Sequence, residues 1–178
     1  KLDLFHKLKK NKKLSNNILI APTNIFSFPN MSLIKNIFKI IDNILHNSKY
    51  NVVFRPHPSN IECRQINMIK KKYKYNTRFF FDTSRNYIKI YLNSQFLITD
   101  LSGTAYTYAF LTDNPVIFFS NYEKKLKSLN YDKLNFFKDR KKIGFIIRDV
   151  SSLLKIISKE KISDIIKLKR KKIKKLFL

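Results

Sequence analysis

Three features of the sequence predict an α/β fold built on a Rossmann-like parallel sheet flanked by helices. Short apolar runs at residues 18–21, 51–54, 78–81, 96–98, 116–119 and 143–147 are each bounded by turn residues. Such runs mark strands buried on both faces of a sheet. The segments between them are long enough for crossover helices, and several carry apolar residues at helical spacing. Strand and helix patterns alternate about five times along the chain, which is the rhythm of a parallel sheet. At 178 residues and 44% hydrophobic content, the chain can bury one good core.

Residues 1–17 are polar and lysine-rich and read as a basic linker or entry helix, with His6 a solvated residue among lysines. The first strand, 18–21, is stopped by Pro22-Thr23-Asn24. A loop through Phe28-Pro29-Asn30 leads to a helix whose apolar face is Leu33, Ile34, Ile37, Phe38, Ile41, Ile44 and Leu45. Asn30 or Ser32 is its expected cap, and His46 near its end complements the helix dipole. The second strand, 51–54, runs into Arg55-Pro56-His57-Pro58-Ser59. Ser59 is the expected cap of a helix carrying Ile61, Cys63, Ile66 and Ile69, which ends in Lys70-Lys71-Lys72. After the strand at 78–81, Asp82-Thr83-Ser84 is expected to cap a helix over 86–92.

The stretch from Phe96 to Phe119 is the centre of the pattern. Phe96-Leu97-Ile98 is a buried strand and Thr99-Asp100-Leu101-Ser102-Gly103 a polar turn. A helix beginning at Ser102 or Gly103 carries Ala105, Tyr106, Tyr108, Ala109 and Leu111, and Asn114-Pro115 precedes the strand at 116–119. This is a βαβ unit. A mixed basic segment through Phe137 follows, then the strand at 143–147. Asp149, Ser151 and Ser152 signal the start of a helix carrying Leu153, Leu154, Ile156 and Ile157. Gly103 and Gly144 are the two glycines of the chain, both at strand ends or loops where close approach of backbone is useful.

Charge and cysteine usage narrow the classes. The net charge of +25 suits a nucleic acid, an anionic membrane or a phosphorylated substrate. The abundance of Ile, Asn, Phe and Tyr beside Lys suggests A/T-rich codons, and that bias accounts for the larger share of the charge. No zinc-finger spacing, aromatic RNA-binding strand or Gly-rich loop is present, so nucleic acid is not expected as a partner. Cys63, the single cysteine, forms no internal disulfide, fits a reducing cytoplasm and reads as a small core residue. No run of about 18 apolar residues crosses a membrane. The chain begins at Lys1, which suggests a domain of something longer.

Two constellations carry chemistry. The helix after the strand at 96–98 starts at the strand's carboxyl end, where α/β sheets bind ligands and where free N–H groups and the helix dipole suit a phosphate. Asp100 would repel that anion unless it caps the helix or points away. Second, prolines on both sides hold His57 at the carboxyl end of the preceding strand, and Arg55 beside it suits paired hydrogen bonds to phosphate. Histidine, with an unperturbed pKa near neutrality, suits proton transfer or phosphate binding. The plainer alternative is a turn histidine bonded to nearby backbone.

The order of these motifs — Ala21-Pro22-Thr23 after the first strand, Arg55-Pro56-His57-Pro58, Ile98-Thr99-Asp100-Leu101-Ser102-Gly103, an aromatic-rich helix, Asn114-Pro115-Val116-Ile117-Phe118-Phe119 and a late glycine-containing strand — resembles the CDP-glycerol glycerophosphotransferase family, which includes teichoic acid polymerases and capsule-making relatives. The resemblance covers nearly the whole chain. It implies the carboxyl-terminal, nucleotide-donor-binding half of a GT-B glycosyltransferase fold at 18–160, with a basic amphipathic tail at 161–178. The implied reaction moves glycerol phosphate from CDP-glycerol to a hydroxyl of a growing cell-surface polymer, with CMP leaving. His57 would contact the donor phosphates and assist at the reacting centre, with Arg55 in support. Thr99, Asp100, Ser102, Gly103 and Thr104 would line the phosphate site. No metal and no cofactor are implied. The implied partners are CDP-glycerol or another nucleotide-linked donor, a polymer acceptor and an amino-terminal GT-B half. The implied setting is the cytoplasm, at the inner face of the cell membrane if the tail meets lipid; for the tail, an anionic membrane surface and packing on the domain both remain open.

The chain departs from the family pattern in three ways. Thr23-Asn24-Ile25-Phe26 stands where the family has a basic residue soon after Ala-Pro-Thr. Asp100-Leu101-Ser102-Gly103 replaces an Asp-Tyr-Ser-Ser turn. The other GT-B half and the usual final segment are not in the chain, so activity alone is not expected. Two further readings stand beside the transferase: a GT-B glycosyltransferase or epimerase using another nucleotide sugar, and a non-catalytic fragment.

Overall fold

The computed structural model describes residues 15–158 and 163–177, with side chains over 15–158 and 167–174. The expectations for His6 and most of the entry segment therefore lie outside the described residues. Six strands form one sheet: β1 (Asn17–Ile20), β2 (Asn51–Phe54), β3 (Phe79–Phe81), β4 (Phe96–Thr99), β5 (Val116–Phe119) and β6 (Gly144–Ile147). Their order is β3-β2-β1-β4-β5-β6, and every pairing is parallel. Each strand is an apolar run of the sequence, shifted by no more than a residue or two. The chain winds outward from β1 through β2 to β3, then returns to β4 and winds to β6. The sheet therefore reverses between β1 and β4, and the carboxyl ends of the strands at such a reversal are where α/β sheets bind ligands.

Helices cover both faces. On one side α1 (Ile37–Asn47), α2 (Arg64–Tyr73) and α8 (Ser151–Ile157) bury Ile40, Ile44, Ile66, Ile69, Leu153 and Ile157 against β1, β2 and β4. On the other, α3 (Tyr87–Leu92), α4 (Thr104–Thr112) and α7 (Arg140–Ile143) bury Tyr91, Ala105, Tyr108, Ala109 and Ile143 against Leu19, Leu97, Val116 and Phe118. The short α5 (Glu123–Ser128) and α6 (Asn135–Lys138) fill the basic segment after β5. This is a Rossmann-like parallel sheet flanked by helices.

Several local expectations are corrected. The periodic face at 33–45 begins as a 3₁₀ turn, Leu33–Asn36, before α1, and Ser32 rather than Asn30 caps it through its hydroxyl to the Ile34 N–H at 3.3 Å. Ser59 caps nothing. Pro58 fixes a 3₁₀ turn, Pro58–Asn60, that His57 caps, and α2 starts only at Arg64. Asp82 does not cap α3; its side chain pairs with Arg55 and receives the Ser84 N–H. β3 is the sheet edge, so Phe80 is exposed while its neighbours pack inward. Asp149 does cap its helix, receiving the Ser152 N–H at 2.9 Å.

Helix α9 (Ser163–Phe177) follows. Arg170 and Ile173 are buried, and Arg170 donates to the Asp113 carbonyl at 2.7 Å while Lys174 donates to the Phe110 carbonyl at 2.6 Å. Two cations thus meet the carboxyl end of α4, where the helix dipole is negative. The opposite residues, Lys167, Leu168, Lys169, Lys171 and Lys172, remain exposed. One face of the tail helix packs on the domain and the other presents charge to solvent. Among the described residues, no helix is long and apolar enough to cross a membrane.

Candidate functional site at the carboxyl edge of the sheet

Four loops meet at the reversal point, and side-chain hydrogen bonds lock three of them together. Asp100, fully buried at the end of β4, receives the Thr23 N–H at 2.8 Å and the Leu101 N–H at 2.7 Å on Oδ1, and the Leu33 N–H at 2.8 Å on Oδ2. Burial pushes its carboxyl above the ordinary carboxylate range, and hydrogen bonds from Leu33, Thr23, Leu101 and Ser32 oppose that shift. Its neighbour Thr99, also fully buried, donates its hydroxyl to the Ala21 carbonyl at 2.6 Å. Both residues were expected among the phosphate ligands. Their polar atoms are instead engaged by the protein's own backbone, so they frame the site rather than line it. Asp100 thereby presents no free carboxylate to an anion.

Asn60 completes the frame. It is buried; its Oδ1 receives the Ile25 N–H at 3.0 Å and its Nδ2 donates to Asn24 Oδ1 at 3.2 Å. Asn24 Oδ1 also receives the Phe26 N–H. Asn60 thus stitches the loop after β1 to the loop after β2, a role absent from the sequence reading.

His57 stands half-buried after β2. The Ser59 N–H donates to its Nδ1 at 3.2 Å. A backbone N–H can only donate, so Nδ1 is the acceptor and the neutral ring carries its proton on Nε2. The plain alternative, a turn histidine bonded to nearby backbone, describes one nitrogen of this ring; the other is left as a fixed donor. Arg55 pairs with Asp82 across the ends of β2 and β3, so its charge is partly balanced rather than wholly available to a ligand. It still acts on its surroundings: burial raises the Tyr91 hydroxyl pKa, while the bond to Thr104 and the Arg55 charge oppose the rise. Tyr91 and Thr104 share a hydrogen bond of 2.8 Å, which orients the Thr104 hydroxyl at the first turn of α4.

Ser102 is half-buried and Gly103 exposed at that turn. Gly103 has φ −60°, and a Cβ on it would touch nothing within 4 Å. Backbone freedom is therefore not why glycine stands here; it leaves open the space in front of the helix N–H groups. His57 and the start of α4 follow β2 and β4, the two strands that flank β1. Cys63 is a free, half-buried thiol packed against the core. Among the described residues, no three His, Cys, Asp or Glu side chains cluster as a metal site.

A family model described as CDP-Glycerol:Poly(glycerophosphate) glycerophosphotransferase matches residues 7–178. The chain belongs to this glycerophosphotransferase family. No curated protein sequence matches it. Solved structures place the family's fold beside it. A variant of the wall teichoic acid polymerase TagF soaked with CDPG aligns at TM-score 0.61 and 19% identity, covering 95% of this chain and 39% of that one. TagF itself aligns at TM-score 0.59 and 21% identity, covering 95% and 41%. The UDP-GlcNAc 2-epimerase of Methanocaldococcus jannaschii, in complex with UDP-GlcNAc and UDP, aligns at TM-score 0.54 and 14% identity, covering 88% and 41%. The chain thus spans about two-fifths of the length of these structures.

Proposed function

We propose that this glycerophosphotransferase domain binds the diphosphate of CDP-glycerol in the crevice between β1 and β4 and takes part in transferring glycerol phosphate to a poly(glycerol phosphate) hydroxyl. The observation that carries the reading is His57, whose Nδ1 is held by the Ser59 N–H and whose Nε2–H is therefore a fixed donor at the same edge of the sheet as the start of α4. In the transfer, the acceptor hydroxyl oxygen forms a bond to the phosphorus bearing glycerol, and the bond from that phosphorus to the CMP oxygen breaks. The hydroxyl proton is lost and CMP leaves with the bonding electrons. Phosphoryl transfer needs chiefly positioning and charge stabilisation. Nε2 of His57, the Thr104 N–H at the start of α4 and the Ser102 hydroxyl supply donors for the phosphate oxygens, the Ala105 and Tyr106 N–H groups being bonded to the Ser102 and Gly103 carbonyls. Arg55, tempered by Asp82, adds positive potential, and the Thr104 hydroxyl is held in place by Tyr91. Asp100, Thr99 and Asn60 keep the loops in register. The catalytic base is assigned to an amino-terminal half outside this chain. The exposed lysines of α9 suit contact with an anionic membrane surface.

A titration with CDP-glycerol, CMP and UDP-GlcNAc tests this. Cytidine-selective binding is expected, weakened about tenfold or more by His57→Ala and about threefold by Ser102→Ala, as loss of hydrogen bonds to a charged group dictates. Selectivity for UDP-GlcNAc would move the domain to the nucleotide-sugar class. No nucleotide binding by the folded chain would remove the donor-site reading.

A further inference from the structure

A second feature lies beyond the crevice, at the β6 edge of the sheet. Two adjoining clefts, of about 600 and about 580 Å³, share Glu123 and Arg148. The first opens beside Asn30 and Lys124 at the carboxyl end of β5, and the second runs along β6 past Lys141 to Lys155. Lys124, Lys125, Lys141, Arg148 and Lys155 are all exposed along this line. The two acids in it are engaged. Glu123 receives the Arg140 guanidinium at 3.0 Å and the Ser120 hydroxyl, and Asp149 accepts from Ser151 and Ser152 at the start of α8. Arg140, which pairs with Glu123, has its Nη1 buried without a hydrogen-bond partner. Arg140 is held rigidly by stacking over Phe118 and Phe137, at 5.6 and 5.1 Å. The result is a groove with cations along its length and its carboxylates satisfied.

We infer that this groove holds the acceptor, a polyanion of repeating phosphodiesters, and leads its growing end toward the crevice. The inference rests on the transferase reading. Two clefts joined at Glu123 and Arg148 suit a chain molecule rather than a single phosphate, and the groove's charge complements one negative charge per repeat.

The test compares two triple variants of the full chain that lose the same charge. One is Lys124→Gln with Lys125→Gln and Arg148→Gln, in the groove; the other is Lys39→Gln with Lys71→Gln and Lys74→Gln, on exposed positions of the α1–α2 side. Binding of synthetic oligo(glycerol phosphate) is read beside binding of CDP-glycerol. The groove variant is expected to lose about tenfold or more in oligomer affinity and its length dependence, the control less than about threefold, since cation–phosphate contacts are local and additive. CDP-glycerol binding stays unchanged in both. Arg148→Glu provides a single-site check, with a further loss expected for the oligomer alone. Equal losses in the two triple variants, or no loss in the groove variant, would overturn the assignment in favour of diffuse charge. Loss of CDP-glycerol binding in the groove variant would overturn it in favour of a donor subsite. If the unaltered chain binds no CDP-glycerol yet binds the oligomer through the groove, the donor reading fails and the groove stands.

Discussion

Asp100 shows how one buried side chain decides whether a site exists. Its two oxygens satisfy three backbone N–H groups from three segments. Asp100→Ala leaves these donors buried without an acceptor, and a loss of about 3 kcal/mol in urea unfolding is expected; wild-type stability would show the clamp to be idle. His57→Gln provides a complementary probe. Its amide supplies an N–H near the place of Nε2, so it should recover part of the CDP-glycerol affinity lost in His57→Ala. Equal affinities for the two variants would argue against a donor role. The sequence made His57 legible, because two adjacent prolines and a preceding strand are local signals. Asn60 was not, because its partner Ile25 N–H lies in a different loop. Thr99 and Asp100 were legible as a turn, but their direction depends on β1 lying beside β4, which no local pattern encodes.

Among the elements, strands were the most readable part of the chain, since burial on both faces forces continuous apolar runs. Helix starts were less so: His57 took the capping role expected of Ser59 because Pro58 tightens the turn there. Packing between α1 and α2 adds a polar tie in which Asp42 receives Lys72 Nζ and the Tyr73 hydroxyl, both at 2.7 Å. Burial raises the Asp42 pKa, but the bonds from Lys72 and Tyr73 outweigh it and bring it below its ordinary 3.8. A lowered folded pKa means the contribution is present above the unfolded value and fades as pH falls through the lower folded one. The stability difference between wild type and Asp42→Asn should therefore be present at pH 5, at under about 1 kcal/mol for so exposed a pair, and shrink below about pH 4. Thermal unfolding across that range checks it; a difference that grows toward acid would reverse the sign. Gly144 is a second element-level constraint. Its φ is extended, but an added Cβ would run into the Val116 carbonyl of the neighbouring strand. Gly144→Ala should cost about 1–3 kcal/mol by overpacking β6 against β5, measurable as a lower denaturant midpoint.

For the molecule as a whole, the charge of +25 says little by itself; its arrangement says more. α9 packs through Ile173 and brings Arg170 into the interior with Nε and Nη1 lacking partners. Burying a partly satisfied guanidinium adds little net stability. Arg170→Met is therefore expected to change unfolding stability by less than about 1 kcal/mol, whereas Ile173→Ala should cost about 2–4 kcal/mol. The reverse ranking would make the cation the anchor of the helix.

The strand order also governs how the chain comes together. β1 pairs on one side with β2, which follows soon after it, but on the other with β4, through Ile18 opposite Phe96. During synthesis the first three strands can assemble while one edge of the central strand β1 is still bare. That edge, Ile18-Leu19-Ile20, is wholly apolar and rich in β-branched residues, and it can be covered correctly only after residues 96–98 emerge. Until then the half-made sheet is a template for any passing strand, so the yield of native protein should depend on how quickly synthesis delivers β4.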